Sequence, residues 1–210
     1  MSCQNGSLQK DKIEYNETNL KKFLTKKDIL EIVITIVIAA IFFVGYRLSF
    51  QTYIVHYTSM EPNYQNNEWT IVNKIAYKFH APERGDIIVF YPPISPNMPF
   101  IKRIIGLPGE IVEIKDGTVY IHKQDGSVIT LQEPYVKESF TYSYTSSVIP
   151  PNEYFVLGDN RDISEDSHYG WFASRDKIVG KEWINIWPPH LWSTADIYRQ
   201  PTTTTSLTGK

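Results

Sequence analysis

Residues 100–110 read Phe100-Ile101-Lys102-Arg103-Ile104-Ile105-Gly106-Leu107-Pro108-Gly109-Glu110. The alternation is that of a β-strand, with Phe100, Lys102 and Ile104 on one face and Ile101, Arg103 and Ile105 on the other. Lys102 then shares a face with two large apolar side chains, which exclude water from its ammonium group. Desolvation lowers the pKa of a lysine, and the resulting neutral amine can act as a general base. The alternative is a strand at a sheet edge, from which Lys102 would extend to water.

The chain after Tyr53 shows the same period of two, interrupted by frequent turn signals. Asp116-Gly117 and Asp125-Gly126 are typical of tight hairpin turns. Many short antiparallel strands with few helical runs predict a mainly β domain, either a barrel or a sandwich. The predicted strands are Tyr53–Tyr57, Trp69–Asn73, Asp86–Tyr91, Phe100–Ile105, Ile111–Ile114, Thr118–His122, Val128–Leu131, Tyr154–Leu157 and Ile178–Ile186.

An apolar run covers residues 29–46, and its length of about 18 residues is sufficient to cross a bilayer. A buried core helix and a cleavable signal peptide are the alternatives, but no small-x-small site follows Tyr46. The preceding residues 1–28 are polar and rich in lysine, which predicts a cytoplasmic tail. Residues 47–199 are then predicted to form an extracytoplasmic β domain, and residues 200–210 a disordered tail.

Composition argues against several classes of function. The net charge of the 210 residues is −2, so nucleic acid is not an expected partner. Cys3 is the single cysteine and can form no internal disulfide. Because the histidines are dispersed along the chain, neither a metal site nor a cofactor is predicted.

A first chemical candidate is Ser59, which follows a predicted strand in Tyr57-Thr58-Ser59-Met60-Glu61-Pro62. By itself it reads as an ordinary turn residue. Two other segments change this interpretation. Arg84-Gly85-Asp86 opens a predicted strand, and a loop dense in hydrogen-bonding groups follows strand Tyr154–Leu157. Such a loop is either a capped turn or the support of a lysine amine.

Together these motifs resemble those of bacterial type I signal peptidases, the membrane-bound serine proteases with a Ser-Lys dyad. The resemblance includes the apolar run and nearly all of the segment from Tyr57 to Gly170. It rests on Ser59-Met60 with Pro62, Arg84-Gly85-Asp86, Lys102-Arg103 with Gly106-Leu107-Pro108-Gly109, Glu133-Pro134-Tyr135, and Gly158-Asp159-Asn160-Arg161 with Ser164, Asp166 and Ser167.

The resemblance implies a membrane-anchored endopeptidase that cleaves signal peptides from exported preproteins after a small-x-small motif. Ser59 would be the nucleophile and Lys102 the general base, a variant of triad chemistry. Ser164 would hydrogen-bond the lysine amine. The implied partners are signal peptides and the lipid bilayer. Further implied site residues are Asp159, Asn160, Arg161 and Asp166 as supports, and Val55, Met60 and Ile101 as substrate pockets, although these three are equally natural as core.

Four positions depart from the family pattern: Asn63, Ile163, His168 and Tyr57. Of these, His168 and Ile163 keep open a catalytically silent homologue that binds exported chains at the membrane. A serine hydrolase with His168 as base beside Asp166 is a third hypothesis, but its order and spacing fit no arrangement built from these residues. Five aromatic residues would either seat the domain on the membrane or pack in its interior: Trp69, Tyr91, Trp183, Trp187 and Trp192.

Overall fold

A computed structural model describes residues 25–137, 139–189 and 203–205 of the chain. The chain divides into two compact units, Met1–Leu48 and Ser49–Lys210. The predicted tail before residue 25 lies outside the described residues, as does Trp192.

Helix α1 spans Lys26–Ser49 and dominates the first unit. Thr25 caps it, because its N and Oγ1 both donate to Asp28 Oδ2 at 2.7 Å and Asp28 N donates back to Thr25 Oγ1 at 3.3 Å. No residue of the helix is buried. By length and composition the helix is sufficient to cross a membrane. It begins before and ends after the predicted run 29–46, since the cap and the flanking polar residues extend the helical backbone.

The second unit is built from twelve described strands. In chain order they are β1 (Phe50–Ile54), β2 (Trp69–Asn73), β3 (Ile87–Phe90), β4 (Phe100–Gly106), β5 (Ile111–Lys115), β6 (Thr118–His122), β7 (Val128–Thr130), β8 (Tyr144–Thr145), β9 (Glu153–Leu157), β10 (Ala173–Ser174), β11 (Ile178–Trp187) and β12 (Thr203–Thr205). A short helix α2 (Ala76–Phe79) follows β2, and 3₁₀ turns occupy Ser167–Tyr169 and Arg175–Lys177.

These strands form two antiparallel sheets, so the predicted mainly β fold is confirmed. The larger sheet has the order β1-β2-β11-β3-β4-β9-β10 and the smaller one the order β12-β7-β6-β5-β8. Asp116-Gly117 turns the β5–β6 hairpin with φ of 48° and 72°, which favours glycine at the second position.

Each predicted strand overlaps an observed one, with one clear shift. The first was predicted at Tyr53–Tyr57 but lies at Phe50–Ile54, because Tyr57 has a φ of 69° and cannot continue an extended strand. β8 and β10 were not predicted, since two residues carry no periodic signal. Thr203–Thr205 pairs with β7, which differs from the disordered tail predicted for these residues.

The centre of the larger sheet is covered on both faces. All four residues of β3 are buried, as are the six residues that follow Phe100 in β4. Ile101 belongs to one apolar cluster with Ile87 and Val89, whereas Ile104 belongs to another with Ile88 and Phe90. A charged residue anywhere in the middle of β4 is therefore removed from water.

Candidate active site

Lys102 lies in β4 opposite Ile88 of β3 and is 3% exposed. Its Nζ lies 5.5 Å from the centre of the Phe100 ring, on the strand face predicted from the alternation. The alternative of an edge lysine extended into water is therefore excluded by its burial. Burial lowers the pKa of Lys102 to about 8, although Asp166, Asp159 and Glu165 act in the opposite direction.

Ser59 lies in the turn that follows β1, and Lys102 Nζ donates a hydrogen bond of 2.6 Å to its Oγ. The two residues are 43 positions apart in the chain. Asn160 fixes the backbone of this turn, because its N donates to Ser59 O at 3.0 Å and its Nδ2 donates to Thr58 O at 3.2 Å. Lys102 thus holds the hydroxyl of Ser59, and Asn160 holds the backbone of the turn that carries it.

The other face of β4 carries Arg103, which is fully buried. Its Nε and Nη2 donate to the two carboxylate oxygens of Asp159 at 2.8 and 2.7 Å. Its guanidinium stacks 3.9 Å from the centre of the Tyr135 ring. Burial alone would lower the pKa of Arg103, but Asp159 raises it above its ordinary value, so the group stays charged. This ion pair joins β4 to the loop after β9.

Asn63, one of the departures from the family pattern, joins the same ion pair. Its Nδ2 donates to Asp159 Oδ2 at 2.8 Å and to Tyr135 O at 2.9 Å. The Asn63 amide thereby connects the turn that carries Ser59 to Asp159, the ion-pair partner of Arg103.

Arg161 forms a second buried ion pair, with Glu133. Its two terminal nitrogens donate to the carboxylate at 3.0 and 2.7 Å, and its Nε donates to Gly158 O at 3.1 Å. Asp166 fixes the same glycine from the other side, since its Oδ2 accepts from Gly158 N at 2.9 Å. The backbone of Gly158 is therefore held by both a cation and an anion.

His168, a second departure, is the partner of Asp166. Its Nδ1 lies 2.7 Å from Asp166 Oδ1, and its backbone N donates to the same oxygen at 3.2 Å. The ring also stacks 4.6 Å from the centre of Tyr142. His168 therefore contacts the support of the site, while Lys102 occupies the position beside Ser59 that a base requires.

The expected hydrogen bond from Ser164 to the lysine amine is not formed. Ser164 is 1% exposed, and its Oγ has no hydrogen-bond partner among the described residues. The hydroxyl instead lies against Gly158, where an added Cβ would approach Ser164 Oγ to 2.2 Å and Ser59 O to 2.4 Å. Three groups converge at this point, so only a residue without a side chain fits there.

A cleft of about 870 Å³ opens beside Ser59 and Lys102. Val55 and Ile101, both predicted as pocket residues, line it. The third prediction, Met60, is not among the lining residues, because its side chain is fully buried in the core with Val55 and Tyr64. Tyr57 lines the cleft with its side chain 65% exposed, and its N donates to Asn66 Oδ1 at 3.0 Å.

The sequence motifs included Arg103 and Glu133, but neither was assigned a place in the site. The sequence contains one indication for each residue. Arg103 alternates with Ile101 and Ile105, which places it on an apolar face of the strand, and Glu133 stands in the motif Glu133-Pro134-Tyr135. Their partners lie 56 and 28 positions away, respectively, beyond the reach of local patterns. Among the described residues, no group of three or more His, Cys, Asp or Glu is arranged to hold a metal ion.

Comparison with known proteins identifies the family of the chain. Residues 27–187 match the family model described as signal peptidase, peptidase S26. The chain is 39% identical over 165 residues to probable signal peptidase I-2 of Synechocystis sp., which covers 76% of this chain and 73% of that protein. It is 35% identical over 177 residues to signal peptidase IB of Staphylococcus aureus, with coverage of 78% and 92%.

Among solved structures, a signal peptidase I from Enterococcus faecalis is 37% identical, with a TM-score of 0.42 and coverage of 48% of this chain and 95% of that one. With the family model matching most of the chain and these curated relatives, the chain belongs to the signal peptidase family, peptidase S26, and is a serine peptidase.

Proposed function

We propose that this protein is a membrane-anchored serine endopeptidase that cleaves signal peptides from exported preproteins, with Ser59 as nucleophile and Lys102 as general base. The observation that carries the proposal is the 2.6 Å contact between Lys102 Nζ and Ser59 Oγ at a lysine that is 3% exposed. A serine hydroxyl is a weak nucleophile unless a base accepts its proton. The same contact is of little use to a protein that only binds exported chains.

The reaction begins with the neutral amine of Lys102. Burial lowers the pKa of Lys102 to about 8, so the neutral form is well populated near that pH. Ser59 Oγ–H donates its proton to Nζ while Oγ attacks the carbonyl carbon of the scissile bond. The lysine ammonium then gives that proton to the departing amine, which becomes the new N-terminus of the mature protein. In the second half, Lys102 accepts a proton from water while the water oxygen attacks the acyl carbon. The bond to Ser59 Oγ then breaks, the lysine ammonium returns the proton to Oγ, and the signal peptide leaves.

The charge on the carbonyl oxygen requires hydrogen-bond donors close to Ser59. The Ser59 backbone N–H is one donor in this proposal, because the backbone N–H of the nucleophile itself contributes to the oxyanion hole in Ser-His-Asp enzymes. Tyr57 lines the cleft two residues before Ser59 and is the candidate for a second donor. Its backbone N–H is already bound to Asn66, so only its exposed side chain remains for such a role.

The substrate is proposed to bind as an added strand along the cleft. Among the described strands, β9 pairs with β4 only from Arg103 onward, whereas β3 pairs with β4 from Phe100. The backbone of Phe100–Lys102 thus has an edge on the side of the cleft, and an extended peptide can hydrogen-bond to such an edge. Val55 and Ile101 line the same cleft and would form shallow apolar contacts for the small residues of the motif.

Incubation with a preprotein tests the function directly. We expect the purified full-length protein in detergent to cut a preprotein once, after a small-x-small motif. Mass spectrometry of both products identifies the cut site. Cleavage at a charged or bulky residue would contradict the substrate class, while an uncut preprotein that still binds the protein would support the silent homologue.

We propose further that helix α1 spans the membrane and that the domain after Arg47 is extracytoplasmic. Support comes from the 24-residue apolar helix without buried residues and from the lysines that precede it. Trp69, Trp183 and Trp187 are 45%, 50% and 56% exposed, as expected for side chains at a membrane surface.

The orientation predicts a protection pattern. Protease added to right-side-out spheroplasts should digest the domain and spare a tag placed before Lys10, because the lysine-rich flank stays in the cytoplasm. Immunoblotting with antibodies to the tag and to the domain gives the readout. Protection of the domain with loss of the tag would refute the topology.

A further inference from the structure

Glu165 introduces a negative charge into the cleft at the reacting groups. The cleft is lined by residues of strands β1 to β4, of the turn after β1, of the loop before β4 and of the loop after β9. Among these described lining residues, Lys102 and Glu165 are the ones that carry a full charge at neutral pH. Lys102 is buried and bound to Ser59, whereas Glu165 is exposed. The carboxylate is therefore the charge that a bound substrate would meet.

The backbone on both sides of Glu165 is fixed. Ser164 and Asp166 are 1% and 0% exposed. Asp166 accepts hydrogen bonds from Gly158 N at 2.9 Å and from His168 N at 3.2 Å, and its carboxylate also contacts the His168 ring. Because both neighbours are buried and Asp166 is hydrogen-bonded, Glu165 presents its carboxylate to the cleft without a large loss of backbone entropy on binding.

The position of Glu165 relative to the scissile bond follows from the chemistry of Lys102. The lysine must protonate the departing amine, so the leaving group lies on the lysine side of Ser59. Glu165 directly follows Ser164, whose Oγ converges with Ser59 O on Gly158, and it lines the cleft together with Lys102, so its carboxylate lies beside both reacting groups. The leaving group is the start of the mature protein, whereas the apolar contacts of Val55 and Ile101 suit the signal peptide.

We propose that Glu165 is a specificity-determining residue that favours arginine or lysine, and disfavours aspartate or glutamate, within the first residues after the cleaved bond. This inference rests on the proposed function and adds to it a charge preference at the start of the mature protein. The carboxylate of Glu165 attracts a substrate arginine or lysine and repels a substrate aspartate or glutamate. Both effects contribute to the difference in cleavage between the two kinds of substrate.

The test uses preproteins that share one signal peptide and carry Arg, Gln or Glu at the first, second or third mature position. At pH 9 and low salt, we expect the wild type to cleave the best Arg substrate with a kcat/KM about 5- to 20-fold above that of its Glu counterpart. Glu165→Gln should bring this ratio close to one, and Glu165→Lys should invert it. Raising the salt to about 0.5 M should weaken the preference of the wild type.

Asp162→Asn is the matched control, because Asp162 is an exposed carboxylate in the same loop that does not line the cleft. It should leave the ratio unchanged. Equal cleavage of Arg and Glu substrates by the wild type, or an unchanged ratio in Glu165→Gln and Glu165→Lys, would overturn the role of Glu165 while leaving the peptidase activity intact. A wild type that cuts none of the substrates would overturn the proposed function and this inference with it.

Discussion

Ser59→Ala and Lys102→Ala are each expected to reduce preprotein cleavage by at least about 1,000-fold, because nucleophile and base act as one unit. The alanine at position 59 removes the atom that attacks the carbonyl. The alanine at position 102 leaves Ser59 Oγ without the amine that lies 2.6 Å away. The double variant should be no worse than either single one. Single-turnover assays with excess enzyme, followed by mass spectrometry of the products, measure the effect.

Folding must be kept apart from chemistry in this experiment. Removing a buried lysine leaves a cavity, so Lys102→Met serves as a second variant of similar length. Exposed Ser147 lies outside the cleft and provides the matched serine control, and exposed Lys78 provides the lysine control. Both control alanines should retain activity. If Ser59→Ala or Lys102→Ala keeps more than a few per cent of wild-type activity, with unchanged thermal unfolding, the dyad assignment is wrong.

The burial of Lys102 was predictable because it depends on local alternation. Phe100 and Ile104 flank it on its own face, and β3 pairs with β4 from Phe100 to Arg103. The period of two is a property of the backbone, so it carries directly from sequence to structure. The same argument placed Arg103 on the opposite face, and the structure buries it there.

The partners of these charges could not be predicted in the same way. Asp159 lies 56 positions from Arg103, and Asn63 lies 96 positions from Asp159. Nothing local indicates that an amide at position 63 contacts a carboxylate in the loop after β9. Ser164 illustrates the reverse case, since the family resemblance implies a hydrogen bond to Lys102, but its Oγ lies against Gly158 instead.

The two ion pairs suggest why the supports of the site are charged. Lys102 needs a dry environment to lose its proton, yet nearby carboxylates would restore the ammonium form. The charge of Arg103 offsets that of Asp159, and the charge of Arg161 offsets that of Glu133. Both pairs are bidentate, and all four side chains are at most 8% exposed. The loop after β9 is thereby fixed by strong contacts while much of its negative charge is compensated close to the amine.

The pH dependence follows from the depressed pKa of Lys102 and separates lysine from histidine as the base. Only the neutral amine accepts the proton of Ser59, and its population rises with pH through a pKa of about 8. We therefore expect kcat/KM of the free enzyme for an uncharged substrate to rise about tenfold per pH unit below this value and to level off above it. A histidine base would give a limb near its ordinary pKa of about 6.5.

Two variants identify the group that titrates in this limb. Glu165→Gln removes one of the carboxylates that raise the pKa of Lys102, so the limb should move to lower pH, whereas Asp162→Asn should leave it in place. His168→Ala weakens the packing around Asp166 but does not remove the base, so it should reduce the plateau more than it shifts the limb. The Ser-Lys mechanism would be contradicted by a limb near pH 6.5 that disappears in His168→Ala, together with turnover by Lys102→Ala. Activity that survives the loss of Lys102 but depends on the imidazole would identify His168 as the base.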